Sequence, residues 1–90
     1  MDFQIYKKQL MKNSAFRKAY KESKLEYQIA RALIKARLEQ GMTQKELAKR
    51  LKTKQSVISR VENAKTVPSL SFLKRLAGVL KASLQVEFKF

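Results

Sequence analysis

The segment "KTKQSVISRVENAK", residues 52–65, combines helical periodicity with side chains that form directional hydrogen bonds. Val57, Ile58 and Val61 recur at a spacing that places them on one face of a helix. Polar residues occupy the opposite face: Gln55, Ser56, Ser59 and Arg60. A glutamine can grip adenine N6 and N7, and an arginine can grip guanine O6 and N7, each through two hydrogen bonds. Such side chains are able to read DNA base edges if the helix lies in a groove; a solvated helix face is the alternative, above all for the two serines.

The charge of the chain points to the same partner. Ninety residues carry 21 Lys and Arg against 7 Asp and Glu, a formal net charge of +14. This charge favours a polyanion, because neutralising phosphates releases condensed counterions. Charge that only keeps the protein soluble is the alternative. The charge predicts a nucleic acid as the partner, and the helix-turn-helix described below narrows that prediction to double-stranded operator DNA.

The composition disfavours catalysis. Histidine and cysteine are absent, and only 7 carboxylates are available as acids, bases or metal ligands. We therefore expect no enzyme activity, no cofactor and no metal. The first residues lack the apolar stretch of a signal peptide, and no run approaches the roughly 20 apolar residues of a membrane span. We expect a cytoplasmic protein without a membrane partner.

With two Gly and one Pro, the chain should be mostly helical. The first helix is predicted at residues 2–12, and Ser14 can cap a second helix. Ser23 stands three residues before Glu26, a capping-box spacing that predicts a new helix there. One continuous helix over residues 14–40 is the alternative.

Start and stop signals divide the rest of the chain. Gly41 is placed to end a helix, and Thr43 with Glu46 forms a second capping box. Helices are predicted at 44–51, at 54–63 after a cap at Thr53, and to about residue 80 after a cap at Ser69. The last of these should bury Leu70, Leu73, Leu76, Ala77 and Leu80. Two short helices joined by a short turn make a helix-turn-helix, which places its second helix in the major groove.

The run "MTQKELAKRLKTKQSVISRVENAK" resembles the DNA-binding domain of the Cro and phage-repressor family. The resemblance implies that Gln44 and Asn63 hold phosphates. It also implies base reading by Gln55, Ser56 and Arg60, with Ser59 at the edge, and a buried Arg37–Glu62 pair. Lys54 and Lys65 lie on the flanks as phosphate neutralisers. The family has glycine where Lys52 and Ala64 stand, so we expect Asn63 to take a left-handed conformation instead.

The preceding segments "FRKAY" and "IARALIKAR" resemble HigA-like antitoxins of bacterial toxin–antitoxin pairs. That resemblance implies a RelE/HigB-like, mRNA-cleaving toxin as partner and repression of the protein's own operon. The candidate toxin-binding residues form an apolar, aromatic-rich set: Phe3, Tyr6, Leu10, Phe16 and Tyr20. The alternative is that they pack on the domain's own core. Residues 1–24 carry seven Lys or Arg against two acids, a net +5, so attraction to a basic toxin does not support the interaction.

The last residues, "SLQVEFKF", alternate apolar and polar side chains and predict a β-strand. A single strand needs a partner, so we expect it to pair two copies into a homodimer. The predicted fold is all-α, a Cro/repressor-like helix-turn-helix bundle. It comprises an N-terminal helical extension (1–22), a DNA-binding domain (23–82) and a short C-terminal strand (83–90). Besides an antitoxin, a phage- or plasmid-type repressor without a toxin and a basic packaging or RNA-binding module remain as readings.

Overall fold

The computed structural model describes residues 3–22 and 24–89, and the regular elements in those ranges are six α-helices. The helices are α1 Phe3–Leu10, α2 Ser14–Lys21, α3 Leu25–Glu39, α4 Gln44–Leu51, α5 Gln55–Glu62 and α6 Leu70–Val79. The predicted break between the second and third helices is confirmed, and the alternative of one continuous helix is wrong. The predicted cap at Ser23 lies outside the described residues. Lys24 precedes α3 without a side-chain cap.

Two of the predicted helix caps are confirmed. Thr43 Oγ1 accepts from the Glu46 N–H at 3.0 Å, and the Glu46 carboxylate accepts from the Thr43 N–H at 3.3 Å. Ser69 Oγ accepts from the N–H of Phe72 at 3.1 Å. These bonds satisfy donors that the first turn of a helix leaves free. They fix where α4 and α6 begin.

The caps predicted for α2 and α5 are wrong. Asn13 caps α2, since its Oδ1 accepts from the Phe16 N–H at 3.1 Å, and Ser14 is the first helical residue. The residue before α5 is Lys54 rather than Thr53. Thr53 belongs to the C-terminal turn of α4, because its N–H donates to the carbonyl of Ala48 at 2.9 Å.

Three helix ends use a left-handed residue that is not glycine. Lys52 (φ 56°), Ala64 (φ 58°) and Lys81 (φ 55°) follow α4, α5 and α6, whereas Gly41 (φ 68°) follows α3. The expectation that Asn63 takes this conformation is wrong: its φ is −91°. The next residue takes it, because the N–H groups of residues 64 and 65 bond back to the carbonyls of 61 and 60.

The first of two apolar clusters holds the helix-turn-helix together. Its buried members come from α3 to α6 and the chain between them: Leu33, Met42, Leu47, Ala48, Leu51, Ile58, Val61, Leu76 and Leu80. Leu73 packs against this cluster and Ala77 is half-buried. Leu70 was predicted to be buried, but it is 54% exposed, because it is the first residue of α6 and lies outside the cluster.

The second cluster joins the N-terminal helices to the rest of the chain. Its buried members are Phe3, Leu10, Phe16, Ala19, Ala30, Ile34 and Ala64. The interpretation of Phe3, Leu10 and Phe16 as a partner-binding surface is therefore wrong, because α3 and the end of α5 already cover them. The extension is packed on the DNA-binding domain rather than held away from it.

The C-terminal segment does not form the predicted strand. Residues 82–89 have no regular secondary structure, and Leu84, Val86 and Phe88 lie exposed on it. A strand requires a hydrogen-bonded neighbour, and the described residues provide none. Phe90 lies outside them. No helix in ranges 3–22 and 24–89 has the length and hydropathy needed to cross a bilayer.

Candidate nucleic-acid interface

The helices α4 and α5 form the helix-turn-helix, with residues 52–54 as the turn between them. Ile58, Val61 and Glu62 are buried on the inner side of α5. On α4, the small Ala48 is 3% exposed between Leu47 and Leu51. A short side chain at this position allows the two helices to approach closely. The inner face of α5 is thereby fixed, and its outer face points to solvent.

The candidate base-reading residues lie on that outer face. Gln55, Ser56 and Arg60 are exposed, and in the part of the chain that the structure describes their side chains make no hydrogen bond. Ser59 is half-buried, and its Oγ accepts from Asn63 Nδ2 at 3.2 Å. The side chains of Gln55, Ser56 and Arg60 are therefore free to contact DNA bases, whereas Ser59 lies at the edge of the exposed face.

The candidate phosphate-binding side chains divide into two groups. Lys54 and Lys65 are exposed at the two ends of α5, where the flexible ammonium groups can approach phosphates on either side. The side-chain amide of Asn63 instead bonds to the last turn of α5: Nδ2 donates to the Ser59 carbonyl at 2.8 Å and to Ser59 Oγ. Its side-chain donors are occupied.

Gln44 also uses its amide internally. Nε2 donates to Glu62 Oε1 at 3.0 Å and to the Tyr6 hydroxyl at 3.3 Å. Because Gln44 and Lys45 open α4, however, their backbone N–H groups belong to the first turn, which lacks intrahelical acceptors. Such groups suit a phosphate oxygen. The start of α4 therefore offers backbone donors, while the Gln44 side chain holds it in place.

A buried ion pair lies beneath α5, as the family resemblance implied. Arg37 Nε and NH2 donate to the two carboxylate oxygens of Glu62 at 2.6 and 2.9 Å, and Arg37 NH1 donates to the Met42 carbonyl at 2.8 Å. The side chains of Arg37 and Glu62 are 4% and 0% exposed. Burial lowers the pKa of Arg37, but the hydrogen bond and charge of Glu62 outweigh burial, so the pKa is raised. The guanidinium thus stays charged, and its two bonds to Glu62 tie α3 to α5, the recognition helix of the helix-turn-helix.

Tyr6 completes this network from α1, a role that the sequence did not predict. Its hydroxyl donates to Glu62 Oε1 at 3.4 Å and accepts from Gln44, while the Arg37 guanidinium carbon is 5.4 Å from its ring centroid. Burial first, and then the negative charge of Glu62, raise the pKa of this phenol above its usual 10.0. One signal in the sequence could have indicated this role. Tyr6 lies on the apolar stripe between Phe3 and Leu10, where packing alone needs no hydroxyl, so its hydroxyl suggests a hydrogen-bond partner.

The remaining aromatic residue of the predicted toxin-binding set is Tyr20. It is 39% exposed, and its ring packs edge-on against Tyr27 with centroids 5.1 Å apart. Lys7 Nζ lies 4.0 Å from the Tyr20 ring centroid, within the range of a cation–π interaction. One face of this ring is therefore already in contact with the protein.

An open cavity of about 450 Å³ adjoins the recognition helix. Its lining includes Tyr6 from α1, Arg37 from α3, Gln44 and Lys45 from α4, and Gln55 from α5. Backbone donors, an ammonium group and the glutamine predicted to read bases therefore border the same concave surface. No group of three or more His, Cys, Asp or Glu suited to a metal ion occurs among residues 3–22 and 24–89.

Together, the fixed inner face, the short turn and the free polar outer face define a helix-turn-helix DNA-binding domain. The chain belongs to the helix-turn-helix family, whose match spans residues 33–86.

Two curated relatives extend the comparison. The chain is 35% identical over 65 residues to multiprotein-bridging factor 1 of Eremothecium gossypii, covering 72% of this chain and 43% of that protein. It is 36% identical over 62 residues to the putative multi-protein-binding factor 1 of Yarrowia lipolytica, covering 69% of this chain and 41% of that protein. The chain thus spans less than half the length of either relative. No solved structure matches the chain.

Proposed function

We propose that this protein binds double-stranded DNA at specific sequences through α5 and thereby regulates transcription. The observation that carries the proposal is the exposed, unbonded set of Gln55, Ser56 and Arg60 on a helix whose other face is buried. The formal net charge of +14 supplies the accompanying attraction to a polyanion.

Each contact has a distinct role in this proposal. Gln55 recognises adenine and Arg60 recognises guanine. Ser56, whose side chain is shorter, donates or accepts a single hydrogen bond at a base edge. Lys54 and Lys65 neutralise phosphates beside the groove, and the first N–H groups of α4 bind a further phosphate. Asn63 takes no direct part, because its amide bonds to Ser59.

The test begins with selection of binding sites from a random duplex library, followed by competition against unselected duplex at fixed salt. Arg60→Ala should weaken binding to the selected duplex by roughly 1–3 kcal/mol and affect unselected DNA much less. Lys74→Ala is the matched control, because it removes one positive charge from an exposed position on α6. Equal losses on both duplexes would make Arg60 a phosphate contact and remove the basis for base reading.

A second candidate function adds a protein partner. The observation that favours it is the C-terminal segment, where Val86 and Phe88 are 72% and 85% exposed. Contiguous exposed apolar patches mark interaction surfaces, and the names of the two relatives refer to bridging or binding of proteins. The partner is either a second copy of this chain or, in the narrower antitoxin reading, a RelE/HigB-like toxin.

A chain ending at Ala82 separates these partners. Loss of the dimer in sedimentation equilibrium, together with weaker binding to a two-fold symmetric site, supports pairing of two copies. Loss of growth rescue on co-expression with a neighbouring toxin gene, while the dimer persists, supports the antitoxin reading. If the shortened chain keeps both properties, the segment is not a partner-binding site.

A further inference from the structure

We infer that Tyr6 is a positioning residue for DNA binding, which acts by holding the Gln44 side chain and thereby the start of α4. The inference deepens the proposed function and rests on it. Tyr6 lies in α1, outside the residues 33–86 that match the family. The N-terminal extension would accordingly be part of the DNA-binding apparatus rather than an appendage to it.

The hydrogen bonds around Gln44 place the phenol at a specific point. The Gln44 amide has two hydrogens, and its two acceptors are Glu62 Oε1 at 3.0 Å and the Tyr6 hydroxyl at 3.3 Å. The same hydroxyl donates to Glu62 Oε1. Tyr6, Gln44 and Glu62 therefore form a closed triangle that joins α1 to the first residue of α4 and the last residue of α5.

This triangle lies directly beside the proposed DNA contacts. Gln44 and Lys45 carry the free N–H groups of the first turn of α4, and both line the same cavity as Tyr6 and the base-reading Gln55. Anchoring the Gln44 side chain restricts the position of its backbone relative to α5. DNA contacts depend on groups held within a fraction of an ångström, so a looser anchor weakens binding without touching DNA.

The rest of α1 keeps the phenol in place. Phe3 and Leu10 are buried one turn to either side of Tyr6, in the second apolar cluster. The Tyr6 ring also lies over the Arg37 guanidinium, a contact that a phenylalanine ring retains. Tyr6→Phe therefore removes the hydroxyl and its hydrogen bonds while leaving the packing of the ring unchanged.

The test is a double-mutant cycle on DNA affinity, with the single variants Tyr6→Phe and Gln44→Ala and their combination. Measured on the selected duplex, well below every variant's melting temperature, Tyr6→Phe should weaken binding about 3- to 10-fold, the range expected for one neutral hydrogen bond. In the Gln44→Ala background the same change should cost less than about 1.5-fold, since the partner through which it acts is gone. Tyr20→Phe is the matched control: it removes a hydroxyl that makes no hydrogen bond among the described residues, and it should leave affinity unchanged.

A second measurement tests the contact without DNA. In nitrogen–proton NMR spectra of the free protein, the Gln44 side-chain amide signals should move in Tyr6→Phe and stay in place in Tyr20→Phe. The proposal is overturned by unmoved Gln44 signals, by an affinity equal to wild type, or by the same loss in both Gln44 backgrounds. Failure of the proposed function would look different: the wild-type protein would bind selected and unselected duplexes equally, whatever residue stands at position 6.

Discussion

Replacing Glu62 by glutamine, an isosteric change, should strongly lower the free energy of unfolding of this protein. The substitution keeps the shape of the side chain but removes the negative charge that faces Arg37, whose side chain is only 4% exposed. A glutamine retains one acceptor oxygen, so one of the two bonds at 2.6 and 2.9 Å is lost, and its amide hydrogens face the guanidinium hydrogens.

The magnitude follows from two contributions. The loss of a charge-assisted hydrogen bond costs roughly 1.5–3 kcal/mol. The unpaired, buried guanidinium brings the total to roughly 3–5 kcal/mol, the range measured when one partner of a buried pair is removed. For a domain of this size, each 1 kcal/mol corresponds to about 4–8 °C, so the melting temperature should fall by more than about 12 °C.

The assay is urea or thermal denaturation followed by circular dichroism in the absence of DNA. Glu39→Gln is the matched control, because Glu39 is exposed in the same ion-pair-bearing helix α3 and its change should stay within about 0.5 kcal/mol. Combining Arg37→Met with Glu62→Leu removes both charges and should destabilise the protein less than Glu62→Gln alone. A Glu62→Gln melting curve matching that of Glu39→Gln would refute the reasoning that the buried Arg37–Glu62 hydrogen bonds stabilise the fold.

Three further predictions concern stability. Lys52→Gly should raise the free energy of unfolding by about 1 kcal/mol, because Lys52 is left-handed (φ 56°), whereas Lys49→Gly inside α4 should lower it by a similar amount; denaturant midpoints of the two variants check this. Deleting residues 1–22 should lower the melting temperature and broaden the transition, because it uncovers Ala30, Ile34 and Ala64; a truncated chain with the wild-type curve would mean that the second cluster contributes nothing. Because the pKa of Tyr6 is raised, the folded protein binds more protons than the unfolded chain above about pH 10, so stability should decline through that window; the decline should be smaller in Tyr6→Phe than in Tyr20→Phe.

The sequence predicted several features that depend on neighbouring residues, although the caps of α2 and α5 were each displaced by one residue. The capping box at Thr43 and Glu46 and the glycine at position 41 are local signals, and both appear where expected. The Arg37–Glu62 pair spans 25 positions and came from the family resemblance, since spacing alone does not bring such residues together. The helix-turn-helix itself combines local signals with a short connection, which leaves few possible arrangements.

Features that depend on what covers a surface were not predictable. The periodicity of Phe3 and Leu10 indicates an apolar face, but it does not say whether α3 or another protein buries that face. The alternation in residues 83–89 indicates a strand only if a neighbour supplies hydrogen bonds, and such a neighbour is no part of the chain's own pattern. The hydrogen bonds of Tyr6 were missed for the same reason, because its partners Gln44 and Glu62 lie 38 and 56 positions away.

The two ends of the recognition helix are held very differently. Its C-terminal end is held by the hydrogen bonds of Glu62 and is followed by Ala64, which is buried in the second apolar cluster, whereas Lys54 at the other end provides no side-chain cap. The N-terminal tip of α5, which carries Gln55 and Ser56, therefore has fewer side-chain hydrogen bonds than the C-terminal end. We expect amide hydrogen exchange in free protein to be fast at this tip and slow near Glu62, with DNA protecting mainly the tip. We expect the N-terminal turn of α5 to adjust to the DNA groove while the hydrogen bonds of Glu62 keep the C-terminal end of the helix in position.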